Sequence, residues 1–116
     1  MQKALIALDS KQLTVILKKM LADFGFDCIC VGTVEQLITD MSENKPTILF
    51  TDWSFSNQKM TDVLPELSPK PIVIFISKEK SAKLIEQALD LGVNEYIMKP
   101  FDNDILQSKL SLVGVL

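Results

Sequence analysis

At 116 residues the chain has room for one domain with a sizeable hydrophobic core. Hydrophobic residues make up 47% and charged residues 23%, an ordinary globular balance, and the net charge of −3 excludes a nucleic-acid binder that relies on a basic face. The absence of histidine removes the commonest metal ligand and general base, and apolar runs of about six residues fall far short of the roughly 20 that span a bilayer. The amino terminus, MQKALIALDS, meets an aspartate too early for a secretory signal, so a cytoplasmic location is expected.

Residues 3–8 (KALIAL) read as a short buried strand, apolar throughout rather than alternating, with Asp9 directly after it. Residues 11–24 place Leu13, Ile16, Leu17, Met20, Leu21 and Phe24 three and four apart, one helical stripe, which Gly25 stops. FDCICV at 26–31 is the second strand. Its Cys28 and Cys30 share a strand face and lack the spacing of a disulfide or metal motif, so they read as reduced, small apolar side chains.

Thr33 with Gln36 has the pattern of a capping box and opens a helix to about Glu43, which Asn44 and Pro46 end. TILFT at 47–51 is the third strand, followed by Asp52. Residues 52–61 (DWSFSNQKMT) read as a loop, and a short helix begins near Asp62 with Pro65 close to its first turn. After the SPKP loop, IVIFIS at 72–77 is the fourth strand and Ser77 closes it. Residues 80–91 set Ala82, Ile85, Ala88 and Leu89 on one helical face, and Gly92 stops that helix. NEYIM at 94–98 is the fifth strand, with Lys99-Pro100 after it. Asp102 caps a last helix that carries Ile105, Leu106, Lys109 and Leu110 to about Val113.

The alternation is a (βα)5 pattern in one domain over residues 1–116: an α/β fold with a doubly wound, five-stranded parallel sheet. The strand order 2-1-3-4-5, that of flavodoxin-like folds, puts the first and third strands side by side at the ligand crevice. Asp9, Asp52, Ser77 and Lys99 all fall at that carboxyl edge. Two carboxylates, a hydroxyl and an ammonium there suit a divalent cation and a phosphoryl group.

With these residues placed, the chain resembles the receiver domain of two-component response regulators, especially the chemotaxis-type, CheY-like members. The resemblance rests on Asp9 after the first strand, Asp52 ending the third, Ser77 ending the fourth, Tyr96 within the fifth, and Lys99-Pro100 after it. It covers essentially the whole chain, and Asp52-Trp53 and YIMKPF are its most family-like stretches. It implies a phosphoacceptor rather than an enzyme. Asp52 would take a phosphoryl group from a sensor histidine kinase or phosphotransfer protein, with Mg²⁺ held by Asp9, Asp52 and the backbone carbonyl of Ser54. Lys99 would pair with one phosphoryl oxygen and Ser77 with another, and Tyr96 would rotate with Ser77 as the switch. The Lys99-Pro100 bond is expected to be cis. Output would pass through the face of the fourth helix, fifth strand and fifth helix to a downstream protein or effector domain, or to a second copy as a homodimer. Neither nucleic acid nor membrane is implied as a direct partner.

Two departures from the family pattern stand out. Receivers commonly carry two acids after the first strand, and Leu8 stands where the first would be, so a weakened Mg²⁺ site is expected. The loop after Asp52 lacks the usual Pro and Gly, with Ser56 and Met60 there instead. Both motivate an alternative, a pseudo-receiver that docks proteins independently of phosphorylation. A flavin-binding protein on the same sheet order is a third reading, against which the DSKQLT turn lacks a phosphate-cradling composition. Structural roles also stand beside the functional ones. Asp9 or Ser10 fits the cap of the first helix, Asp52 a turn, Lys99 a solvated position and Ser77 the cap of the next helix. Tyr96 also reads as a half-buried strand aromatic, and Trp53 as a partly exposed anchor.

Overall fold

Five apolar runs pair into one parallel sheet in the computed structural model, which describes residues 2–116. They are β1 (Gln2–Ile6), β2 (Phe26–Cys30), β3 (Ile48–Thr51), β4 (Ile72–Ser77) and β5 (Glu95–Met98), in the order β2-β1-β3-β4-β5. Successive side chains of a strand point to opposite faces, so each strand feeds two cores. Leu5, Leu49, Val73 and Phe75 pack on one side with Leu37, Met41, Phe55 and Met60. Ala4, Ile6, Ile48, Phe50 and Ile74 pack on the other with Leu17, Leu21, Leu106 and Leu110. Helices α1 (Lys11–Asp23) and α5 (Asn103–Leu112) cover that second layer. Helices α2 (Val34–Asn44), α3 (Met60–Val63) and α4 (Ala82–Asp90) cover the first. Burial on both faces is why the strands are apolar throughout.

Local chemistry refines several sequence expectations. β1 ends at Ile6 rather than residue 8, although Ala7 and Leu8 stay buried beyond it. Ser10, not Asp9, caps α1, its Oγ accepting the Leu13 N–H at 3.1 Å. Thr33 Oγ1 accepts the Gln36 N–H at 3.1 Å, but Gln36 Oε1 reaches the Gly32 N–H at 2.8 Å, one residue before the expected partner. Ser81, not Ser77, caps α4. Asp102 caps α5 as expected, accepting the Ile105 N–H at 2.9 Å. Ile16 is 53% exposed, because the α1 seam runs through Leu17 and Leu21, and Leu89 and Ile105 also face out of their helices.

The largest difference lies after β3. Residues 52–61 are not an irregular loop: Ser54–Phe55 pairs antiparallel with Gln58–Lys59, and α3 starts at Met60 rather than near Asp62. Ser56 (φ 53) and Asn57 (φ 62) both adopt positive φ, which the twist of a two-residue hairpin demands. Phe55 and Met60 are buried at its two ends and pin it to the sheet. Pro65 sits in a 3₁₀ turn, Leu64–Glu66, that follows α3.

Cys28 and Cys30 are free thiols, as expected, but only Cys28 packs against the core, and Cys30 is exposed. Burial first, then the neighbouring Cys30, pushes the Cys28 thiol up from 9.0 to about 11. Alkylation at a pH of about 8 should therefore label Cys30 first, and equal rates at both would contradict the burial argument. The raised folded value adds stability that is present below pH 9.0 and lost as pH rises toward about 11. Cys28→Ala should flatten that alkaline decline in urea titrations.

Candidate functional site

Pairing continues past the strands into the site. The Ala7 N–H donates to the Phe50 carbonyl at 2.9 Å, and the Lys99 N–H donates to the Ser77 carbonyl at 2.9 Å. Thr51, fully buried, donates its hydroxyl to the Ala7 carbonyl at 2.8 Å. That bond ties together the two segments that carry Asp9 and Asp52. Sequence reasoning missed it, although a polar residue closing a buried apolar strand was a signal, since buried hydroxyls need partners.

Leu8, Asp9, Ser10, Asp52, Ser54 and Lys99 line one cleft of about 200 Å³. Asp52 is half-buried, and its Oδ1 accepts the Trp53 N–H at 2.6 Å. Asp9 is exposed, and its Oδ1 accepts the Ser56 N–H at 2.9 Å, which fastens the hairpin tip to the cleft. Among the described residues the one salt bridge joins Lys109 to Glu95 at 2.9 Å. The half-buried Lys99 ammonium is thus paired with neither Asp9 nor Asp52, and can meet an anion entering beside them.

Ser77 and Tyr96 do not line this cleft. Ser77 is 3% exposed, and its Oγ accepts the Glu79 N–H at 3.1 Å. Tyr96, at 4% exposure, is more buried than a half-buried strand aromatic. Its hydroxyl accepts the Trp53 Nε1–H at 2.9 Å and donates to the Glu79 carbonyl at 3.1 Å. The Lys99–Pro100 peptide is cis, and so is Ser68–Pro69.

Leu8 forms an apolar wall of the cleft. It is 8% exposed and joins the core layer of Ile6 and Leu17. Among the described residues no group of three or more His, Cys, Asp or Glu side chains is placed to hold a metal. Two carboxylates do share the cleft with Ser54. Such hard oxygen donors fit Mg²⁺, which takes one or two carboxylates and keeps several waters.

The family model for the response regulator receiver domain matches residues 4–111. The chain belongs to this family. This receiver is 28% identical over 122 residues to chemotaxis protein CheY1 of Helicobacter pylori, covering 96% of the chain and 95% of CheY1. It is 30% identical over 103 residues to the DNA-binding response regulator MtrA of Mycobacterium tuberculosis, spanning 86% of the chain but 45% of MtrA. Its fold matches the receiver domain of sensor histidine kinase PA1611 from Pseudomonas aeruginosa with a TM-score of 0.82. That likeness covers 97% of this receiver and 98% of the other at 18% sequence identity. Receiver domains are signalling modules, and membership sets aside a flavin carrier on the same sheet order. No described helix of this receiver is long and apolar enough to cross a membrane.

Proposed function

We propose that the 116 residues work as one cytoplasmic phosphoacceptor receiver, with Asp52 accepting the phosphoryl group of a phosphohistidine on a sensor kinase or phosphotransfer protein. The observation that carries this reading is the Lys99 ammonium, which shares one cleft with Asp9 and Asp52 and is paired with neither. An Asp52 oxygen forms the new bond to phosphorus as the donor's N–P bond breaks and the imidazole leaves. Charge repulsion between a carboxylate and an anionic donor opposes that attack, and Lys99 offsets it at the phosphoryl oxygens. The PA1611 receiver coordinates magnesium in its active-site cleft. Here Asp9, Asp52 and the Ser54 carbonyl would hold Mg²⁺, which neutralises charge on the transferring oxygens when bound. Ser77 then donates its hydroxyl to a phosphoryl oxygen, and Tyr96 answers as the switch.

Output passes through α4, β5 and α5 to a downstream protein, an effector domain or a second copy. A groove of about 300 Å³ on that face, lined by Lys80, Tyr96, Met98, Ile105 and Lys109, supports docking there. Acetyl phosphate with millimolar Mg²⁺ should phosphorylate the chain and change Trp53 fluorescence, and a chelator should prevent both. A chain that stays unphosphorylated under these conditions sinks the proposal.

The buried Leu8 favours a second reading, a pseudo-receiver whose docking ignores phosphorylation. That reading predicts partner binding unchanged by Asp52→Ala. The metal site has its own test in Leu8→Asp. A third charge beside the other two should tighten Mg²⁺ binding by about tenfold. It should also destabilise the fold by roughly 1–3 kcal/mol, since an apolar side chain leaves the core. Fluorescence titration with Mg²⁺ reads the first effect, and an unchanged affinity would move the metal away from this cleft.

A further inference from the structure

Trp53 and Tyr96 are the chain's only tryptophan and tyrosine, and they are hydrogen-bonded to each other. The bond belongs to a longer circuit. Asp52 Oδ1 accepts the Trp53 backbone N–H at 2.6 Å, and Trp53 Nε1–H donates to the Tyr96 hydroxyl at 2.9 Å. Tyr96 donates to the Glu79 carbonyl at 3.1 Å, and the Glu79 N–H donates to Ser77 Oγ at 3.1 Å. The circuit therefore begins at the proposed phosphoacceptor and ends at the hydroxyl proposed to contact the phosphoryl group. We propose that Trp53 is a positioning residue that couples Asp52 directly to Tyr96, in parallel with the Ser77–Glu79 route.

A phenol has one proton to donate, and Tyr96 commits it to Glu79. The indole N–H fills the acceptor side of that hydroxyl, so outward rotation of the ring breaks two hydrogen bonds rather than one. Phe75, fully buried, packs at 5.3 Å and 70° to Trp53 and at 6.3 Å and 56° to Tyr96. The two rings are thereby held to one rigid surface, and neither shifts without opening a gap there. At the other end, the trigger rests on the phosphoacceptor reading. When Asp52 attacks acetyl phosphate, its oxygen bonds to phosphorus and acetate leaves with the electrons of the broken P–O bond. Trp53 N–H then faces a mixed anhydride instead of a carboxylate, and its charge-assisted hydrogen bond weakens. That change reaches Tyr96 through the indole.

The test replaces Trp53 by benzothienylalanine, which keeps the fused ring but lacks the N–H, and also by Phe. The full chain carries 3-fluorotyrosine, so Tyr96 gives a single fluorine resonance. Without phosphate, the benzothienyl variant should shift that resonance and raise the outward population about fivefold, the ratio worth one net hydrogen bond of ~1 kcal/mol. The response of the resonance to acetyl phosphate with Mg²⁺ should shrink in the same variant. The Phe variant should reproduce the shift if it folds. A benzothienyl variant with the wild-type resonance and response would overturn the proposal. Failure of the unsubstituted chain to gain phosphoryl mass would instead overturn the phosphoacceptor reading, which the unphosphorylated resonance does not depend on.

Discussion

Asp52→Asn is expected to take up no phosphoryl group from acetyl phosphate, and Lys99→Met to take it up about two to three orders of magnitude more slowly. An amide is no nucleophile toward phosphorus, whereas its shape and its Oδ1 acceptor toward the Trp53 N–H are retained. Loss in that variant thus reads chemistry rather than folding. Lys99→Met keeps the half-buried aliphatic stem and removes the charge. The ammonium shares the cleft with two carboxylates and is paired with neither, so its charge is available to the incoming anion. Intact-mass time courses with acetyl phosphate and Mg²⁺ measure both effects. A Lys99→Met rate close to wild type would remove Lys99 from the proposed machinery.

Phe75→Ala is expected to destabilise the fold by about 3–5 kcal/mol, a large share of the roughly 5–15 kcal/mol typical of a domain. Phe75 is fully buried on β4 and supports both Trp53 and Tyr96. Truncation opens a cavity beneath these two hydrogen-bonded rings, of which Tyr96 lines the groove on the proposed output face. The thermal midpoint should fall by roughly 10–20 °C, and native Trp53 fluorescence should change with it. Leu112→Ala is the control: that side chain is 68% exposed, so a change within about 0.5 kcal/mol is expected. A comparable loss at both positions would mean that the core does not rest on Phe75.

Much of the fold was legible because its signals are local. Continuous apolar runs bounded by turn residues gave all five main strands to within a few residues, and apolar spacing and capping patterns gave the four long helices. Family membership was legible because its anchors close strands of a parallel sheet, where one-dimensional order becomes a common edge. What was harder to read has specific physical causes. Ser56 and Asn57 adopt positive φ without a glycine to announce it, so the hairpin looked like a loop. Asp9 and Ser10 are adjacent candidates for one cap, and only geometry assigns it to Ser10 and leaves Asp9 for the Ser56 N–H. Cys30 follows Cys28 by two and shares its face, yet it is exposed while Cys28 packs against the core.

The sequence by itself determined the alternating architecture and the placing of Asp9, Asp52 and Lys99 at strand ends, because periodicity and strand ends are properties of neighbouring residues. The sheet order that gathers those ends at one edge was expected from likeness to flavodoxin-like folds, and the strand pairing bears it out. The resemblance to receivers, not the sequence alone, made an acid the expectation where Leu8 stands. Only the tertiary structure decided that Leu8 is a core residue, that Thr51 ties the two acidic segments together, and that Lys99 is paired with neither Asp9 nor Asp52. It alone decided that Tyr96 is buried and bonded to Trp53, 43 positions away. Burial and hydrogen-bond satisfaction depend on which distant groups the fold brings within about 3 Å, and no local pattern encodes that.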